Sequence, residues 1–253
     1  MDESLSVDLN CDLGESFGRY ELGQDAAMMP LITSANVACG FHAGDPEVMR
    51  HTVQLVKKNR VALGAHPGYP DLQGFGRRQF DLTPQAVSNI IIYQVGALMA
   101  FAFVEGIPLV HVKPHGALYN LASRDIRIAG AIAQAVHDVD PDLVLVGLAG
   151  SELVKAGEAL GLSVANEGFP DRAYLPDGQL RPRSQEGAVI HEPQVVAANA
   201  LQLVRDGLQI SGKKVRIDTL CLHGDNPKAL ENAGAVRQML ERVGIKISPL
   251  KNP

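Results

Sequence analysis

The sequence predicts an α/β fold in which seven parallel strands close into a barrel. Three observations carry that expectation. Seven short β-type runs alternate with helix-like segments, the rhythm of repeated βα units. Several runs are polar on one face, whereas an open parallel sheet covered by helices on both sides is apolar on both. The length, 253 residues, suits one (β/α) barrel, a fold that commonly takes about 250 residues as a single unit. No charge block, low-complexity tract or glycine/serine linker divides the chain, so one domain over 1–253 is expected.

The first run, residues 6–13, sets Asp8, Asn10 and Asp12 on one face and Val7, Leu9, Cys11 and Leu13 on the other, because side chains alternate along a strand. Further runs lie at 34–41, 61–67, 109–115, 143–148, 163–168 and 219–223. In the fourth, His111, Lys113 and His115 share a face opposite Val110 and Val112. Polar faces on several strands fit a barrel lumen whose C-terminal mouth is the functional end. Asp45-Pro46 and Thr83-Pro84 each place a capping side chain before a proline at the first helical position. The apolar stretch 90–104, interrupted by Gln94 and Gly96, is shorter than the roughly 18 residues of a membrane span and reads as a buried helix.

Composition narrows the function. Hydrophobic residues make up 46% and charged ones 20%, an ordinary globular balance, and the net charge of −5 argues against nucleic acid as a partner. Cys11, Cys39 and Cys221 have no C-x-x-C spacing, and no basic-then-apolar leader opens the chain, so a reducing, cytoplasmic setting and no membrane are expected. These cysteines sit within strands and read as inert buried residues. The P-loop, G-x-G-x-x-G and G-x-S-x-G patterns are absent, which removes support for a P-loop ATPase, a Rossmann dehydrogenase or a serine-hydrolase elbow.

The strand ends bring together Asp8, Asn10, Asp12 and Glu15, then Asn36, His42 and Asp45, then His66, Lys113 and His115, then Glu167, Asp171 and Arg172, and last His223 and Asp225. Five of the eight histidines lie in or just after strands, where barrel sites are built. A carboxylate and histidine cluster either holds a divalent metal or performs acid/base work without one, and the residues leave both open. The 68–78 loop offers glycine amides beside Arg77 and Arg78, suited to a carboxylate or phosphate. The connection 170–193, long and rich in proline, glycine and charge, reads as a lid or a partner-docking segment.

Six motifs, DLNCDLGE (8–15), NVACGFHAGD (36–45), GAHP (64–67), VKPHGALYN (112–120), EGFPDR (167–172) and CLHGD (221–225), resemble in order those of the LamB/YcsF family, described as the A subunit of bacterial 5-oxoprolinase. The resemblance spans nearly the whole chain. It implies a seven-stranded, TIM-like (β/α) barrel of the glycoside hydrolase and deacetylase type. It also implies ATP as co-substrate for hydrolysis of 5-oxo-L-proline to L-glutamate, with partner subunits B and C. On that footing Asp12, His66, Lys113, His115 and Glu167 are the expected catalytic residues, and Asn10, Asn36, Arg77, Arg78, Arg172 and His223 the expected substrate or anion ligands. A divalent metal, if held, is expected on Asp8, Asp12, His42 and His66. The competing readings are a metal-dependent deacetylase or amidase without ATP, and a noncatalytic ligand-binding regulatory subunit.

Overall fold

The structure, a computed structural model, describes residues 5–224 and 228–250, so Asp225 lies outside the described residues. The strands are β1 (Ser6–Leu13), β2 (Ser34–Ala38), β3 (Ala62–His66), β4 (Leu109–Val112), β5 (Val144–Leu148), β6 (Val164–Gly168), β7 (Leu208–Ile210), β8 (Lys213–Val215), β9 (Thr219–Cys221) and β10 (Lys246–Ile247). β1 to β6 pair in sequence, all parallel, and β9 pairs in parallel with both β6 and β1. Seven strands therefore close on themselves. β10 extends one edge of β1 below the barrel, and β7 and β8 form a separate antiparallel hairpin.

The helices are α1 (Asp25–Met28), α2 (Pro46–Asn59), α3 (Pro84–Glu105), α4 (Gly116–Ala122), α5 (Ile126–Val139), α6 (Glu152–Ala159), α7 (Pro193–Asp206) and α8 (Ala229–Arg242). Local sequence sets their starts. Asp45 accepts from the Glu47 and Val48 amides at the head of α2, and Thr83 accepts from Ala86 at the head of α3, each followed by proline. Val7, Leu9, Cys11 and Leu13 are all buried on the helix-facing side of β1, and the main core lies in this shell between strands and helices.

Two expectations change. The run 109–115 is strand only to Val112, because Pro114 cannot donate to a ladder, yet the amides of Lys113 and His115 still donate to Ala65 and Pro67. The extended path and its alternation survive past the strand. The 90–104 stretch is half-buried: Ile91, Gln94, Val95, Leu98 and Ala102 of α3, with Val87 a turn before them, face the barrel, while Tyr93, Phe103 and Val104 are exposed. A helix on a barrel's outer layer buries one stripe only, however apolar its other faces. Gln94, fully buried, is an anchor: its side-chain amide accepts from the Gly68 N–H and donates to the Gly68 carbonyl.

The lumen is polar and hydrogen-bonded from floor to mouth. Thr33 and Ser34 donate to Asp8 Oδ1 at 2.7 and 2.6 Å, and Thr219 donates to Asp8 Oδ2 at 2.6 Å. Above them Asn10 Nδ2 donates to Thr219 Oγ1 and Glu167 Oε1, Asn36 Nδ2 to Asn10 Oδ1 and Asp12 Oδ1, and His111 Nε2 to Asn36 Oδ1. Every amide orientation is fixed by its neighbours' fixed roles. Room for the His111 ring comes from Gly64 on the adjacent strand, where any Cβ would overlap the imidazole. Gly64→Ala is expected to destabilise the fold by about 1–3 kcal/mol through overpacking. Denaturant unfolding checks this, and an unchanged midpoint and slope would show that the lumen is looser than described.

Candidate active site at the barrel mouth

Lys113 is the centre of the upper lumen. Its ammonium lies 2.8 Å from Glu167 Oε1 and 3.0 Å from Asp12 Oδ1, and 3.2 Å from both Asn10 Oδ1 and Cys221 Sγ. Only 3% of the residue is exposed. Burial works against the charge, but the Asp12 and Glu167 carboxylates outweigh it and hold the ammonium well above the ordinary lysine range. For Asp12, too, burial works against ionisation, and His66 and Lys113 overturn it, holding the carboxyl well below its usual range. Glu167 is further fixed by the Tyr119 hydroxyl, which donates to Oε2 at 2.6 Å. Burial pushes the Cys221 thiol well up despite the nearby ammonium, so it is a thiol and no nucleophile.

Beside this ionic core sits a histidine cluster. His66 Nδ1 lies 2.7 Å from the Lys113 carbonyl and His115 Nε2 lies 2.9 Å from the Phe75 carbonyl. A carbonyl only accepts, so both nitrogens carry hydrogen. In their neutral forms His66 and His115 then turn lone pairs toward each other across the 3.0 Å between His66 Nε2 and His115 Nδ1. Two facing lone pairs require a shared proton or a cation. Around them stand Asp12 Oδ2, 3.3 Å from His66 Nε2, and Glu15 Oε1, 3.6 Å from His115 Nδ1 and 3.4 Å from His42 Nε2. The His42 ring stacks flat on His115 at 3.7 Å and is buried with neither nitrogen hydrogen-bonded among the described residues. Burial, reinforced in each case by neighbouring histidine, pulls His42 well below the ordinary histidine range and His115 to about 3, so both are neutral imidazoles at neutral pH. One ligand atom each from Glu15, His42, His66 and His115 falls within 4.8 Å of the others. The donor set suits a divalent cation of the zinc or manganese type. Gly76, at φ +62°, supports the stack from below, where a Cβ would press on both His115 and His42.

The mouth opens into a cavity of about 850 Å³ lined by Asp12, His66, Lys113, His115, Arg77, Arg172 and His223 among others. The 170–193 connection forms part of its wall. It is tied down by Arg172, which donates to the Ala188 and Arg181 carbonyls, and by bridges joining Arg172 to Val189 and Tyr174 to Leu180. His223 Nδ1 is 2.7 Å from Asp171 Oδ2, and its ring stacks on Phe169. Asp12, His66, Lys113, His115, Glu167, Asn10 and Asn36 thus converge on one lumen.

Two expected residues stand elsewhere. Asp8 lies at the opposite end of the lumen, lining a separate cavity with Ser6, Val144 and Asp218, and its oxygens are engaged by three hydroxyls. It cannot join the histidine cluster, because residues two and four positions apart share a face but occupy successive layers. Arg78 folds back onto the buried Asp71 carboxylate in a forked pair outside the cavity lining. Glu15, Tyr119 and Thr219 were not among the expected ligands. Thr219 and Cys221 carry the same alternation as β1, a signal too short to read in a three-residue strand; Glu15 sits past Gly14, where strand parity ends.

Fold and site together define a seven-stranded (β/α) barrel with a carboxylate, histidine and lysine centre at its C-terminal mouth. The chain belongs to the LamB/YcsF family, whose family model matches residues 7–253. It is 54% identical over 252 residues to the A subunit of 5-oxoprolinase from Pyrococcus abyssi, covering 98% of this chain and 99% of that one. The A subunit of 5-oxoprolinase from Syntrophobacter fumaroxidans is 54% identical over 247 residues, covering 96% and 98%. Among solved structures, a lactam utilization protein from Thermus thermophilus superposes with a TM-score of 0.90 at 48% identity, over 97% of this chain and 100% of that one. A putative cellobiose-phosphate cleavage protein from Enterococcus faecalis V583 shares the fold alone, with a TM-score of 0.59 at 11% identity over 98% of each chain. Relatives named as one lettered subunit of an enzyme imply a multi-subunit assembly.

The floor of the lumen generates a test. Burial raises the Asp8 carboxyl from 3.8 to about 6, partly offset by its three hydroxyl donors. A carboxyl whose native pKa lies above its unfolded value favours folding when protonated, so its contribution falls as pH rises from about 4 to 6. Asp8→Asn is expected to remove a pH-dependent loss on the order of 3 kcal/mol from that window. Parallel unfolding curves at pH 4 and pH 7 read the difference, and equal pH dependence in the two proteins would contradict the raised pKa.

Proposed function

We propose that the chain is the A subunit of an ATP-dependent 5-oxoprolinase, opening 5-oxo-L-proline to L-glutamate with partner subunits B and C. The observation that carries this reading is the buried Asp12–Lys113–Glu167 ion network on the floor of a cavity, in a chain more than half identical to relatives named for that activity. The lactam is an unreactive amide, and ring closure of glutamate is favoured, so opening needs coupling to ATP.

In balanced form, the lactam oxygen attacks the γ-phosphorus, the bond to the bridging oxygen breaks, and ADP leaves with its electron pair. Water then adds to the activated carbon, the C–N bond breaks as nitrogen takes a proton, and a second water releases phosphate from the resulting acyl phosphate. Asp12, ionised and facing the cavity, orients the attacking water and takes its proton; Lys113 steadies negative charge on the reacting oxygens. Arg172 or Arg77 pairs with the substrate carboxylate. Glu167 and Tyr119 position Lys113 rather than react. Glu15, His42, His66 and His115 would hold a divalent cation, which when bound supplies Lewis acidity at the cavity floor. The free, buried cysteines support a reducing, cytoplasmic setting.

The same histidine cluster favours a second reading, metal-dependent amide hydrolysis without ATP. Reconstitution with subunits B and C separates the two. Asp12→Asn and Lys113→Met are each expected to lower ATP-dependent glutamate release by about 10²-fold or more with the fold intact. Turnover by the isolated chain with metal and no ATP would support the second reading, and wild-type rates for both variants would remove the site from the reaction.

A further inference from the structure

Helix α3 carries a surface that the barrel leaves unused. No charged residue stands between Asp81 and Glu105, in a chain that is 20% charged overall. One stripe of the helix is buried against the barrel, and the opposite stripe faces solvent, with Phe103 86%, Val104 67% and Tyr93 64% exposed and Ile92 beside them. Large apolar side chains gathered on one helix face mark an interaction surface, unlike the single hydrophobic residues scattered over any protein. Tyr93 is also held in place, because its ring stacks on Phe41 with centroids 5.2 Å apart. An anchor ordered before a partner arrives loses little freedom on binding.

Gly96 supplies an independent observation. It lies in the middle of α3, where glycine weakens a helix relative to alanine, and its backbone is ordinary right-handed helix. A Cβ built there would meet nothing within 4 Å among the described residues. Within one copy of the chain, nothing requires this glycine. A second helix lying across the stripe does require it, because a small residue at the crossing point lets two backbones approach closely.

The spacing of the stripe identifies that second helix. At about 100° per residue, Ile92, Tyr93, Gly96, Ala100, Phe103 and Val104 fall on one side of α3. Their positions are symmetric about the level of Leu98: Gly96 and Ala100 lie two residues to either side, and Ile92-Tyr93 and Phe103-Val104 five and six residues to either side. An antiparallel copy of α3 crossing at that level sets small residues against small ones at the centre and one bulky pair against the other at both ends. This is the self-complementary contact of a two-fold dimer. Glu105, the one charged residue of the helix, is engaged within the copy by Arg50 and Lys57 of α2. α3 lies beside both α2 and α5. With neighbouring helices about 8–10 Å apart and α3 about 33 Å long, the three present a face on the order of 800 Å² per copy, the size of a standard interface. A bilayer surface fits less well, since the net charge of −5 is repelled by anionic lipid and the exposed stripe has no basic flank of its own.

We propose that α3 is a homodimerisation surface, through which two copies of this chain pair antiparallel with Gly96 and Ala100 at the crossing point. The proposal is independent of the reaction assigned above. It places the interface behind the histidine cluster, because Tyr93 backs Phe41, the residue before His42, and the adjacent Gln94 holds the loop at Gly68.

Sedimentation equilibrium of the full chain over a range of concentrations is the test. The wild type is expected to dimerise. Gly96→Lys, for which the folded chain has open space, and Phe103→Glu, at a solvent-facing position, are each expected to weaken dimerisation at least tenfold with the far-ultraviolet circular dichroism unchanged. Tyr93→Lys and Val104→Glu are expected to be monomeric separately and to form a dimer when mixed, since the antiparallel register sets position 93 of one copy against position 104 of the other. A wild-type chain that stays monomeric, a dimer that neither Gly96→Lys nor Phe103→Glu weakens, or no recovery on mixing would each overturn the proposal. A monomeric chain that uses this face to bind anionic phospholipid vesicles, or to hold subunits B and C, with binding lost in Phe103→Glu, would overturn it in favour of that occupant.

Discussion

One buried ammonium governs the upper half of this molecule. Lys113 reaches the barrel axis with almost no solvent contact, and a charge in that position is tolerated only while Asp12 and Glu167 stand within ion-pair distance. Leaving one member of such a network unpaired typically costs about 3–5 kcal/mol. The need to satisfy the remaining lone pairs and hydrogens then propagates downward through Asn10, Asn36 and Thr219 to Asp8. A lumen that in many barrels is filled by aliphatic layers is here a connected polar network, and it is stable because every member is connected.

That network also separates two kinds of work. The carboxylates and lysine are charged and rigidly paired, whereas His42 and His115 are held neutral by burial. The Phe75 carbonyl orients the His115 ring and the Lys113 carbonyl orients that of His66, so their facing nitrogens are prepared to share a cation or a proton. The glycine beneath them serves that arrangement, since a side chain at Gly76 would push the stacked rings apart. Rigid floor and adaptable wall meet at Asp12, which touches both Lys113 and His66.

The outer cavity is built on different principles. Its walls come from the 170–193 connection, the β7–β8 hairpin, α4 with the turn that follows it, and the start of α6, elements that contribute little to barrel closure. Function of this kind is carried by loops on a fixed scaffold. The connection is nonetheless ordered by its own hydrogen bonds, with Arg172 spanning Ala188 and Arg181 and Tyr174 accepting from the Phe169 amide. Arg172 is therefore held in place by backbone contacts, beside the Asp171 carboxylate whose ionised form it favours.

The period-two placement of Asp8, Asn10 and Asp12, and of His111, Lys113 and His115, determined by itself that a polar face lines the barrel axis, and the capping pairs at Asp45 and Thr83 determined where two helices begin. These features are local: alternation and capping depend on neighbours one to four residues away. Tertiary structure alone decided height and partnership. It set Asp8 two layers below the mouth, gave Glu15 rather than Asp8 to the histidines, turned Arg78 onto Asp71, and left Arg124 and Arg183 facing one cavity from distant parts of the chain. The physical reason is that barrel shear and loop closure fix which layers and which loops meet, and those depend on every strand at once.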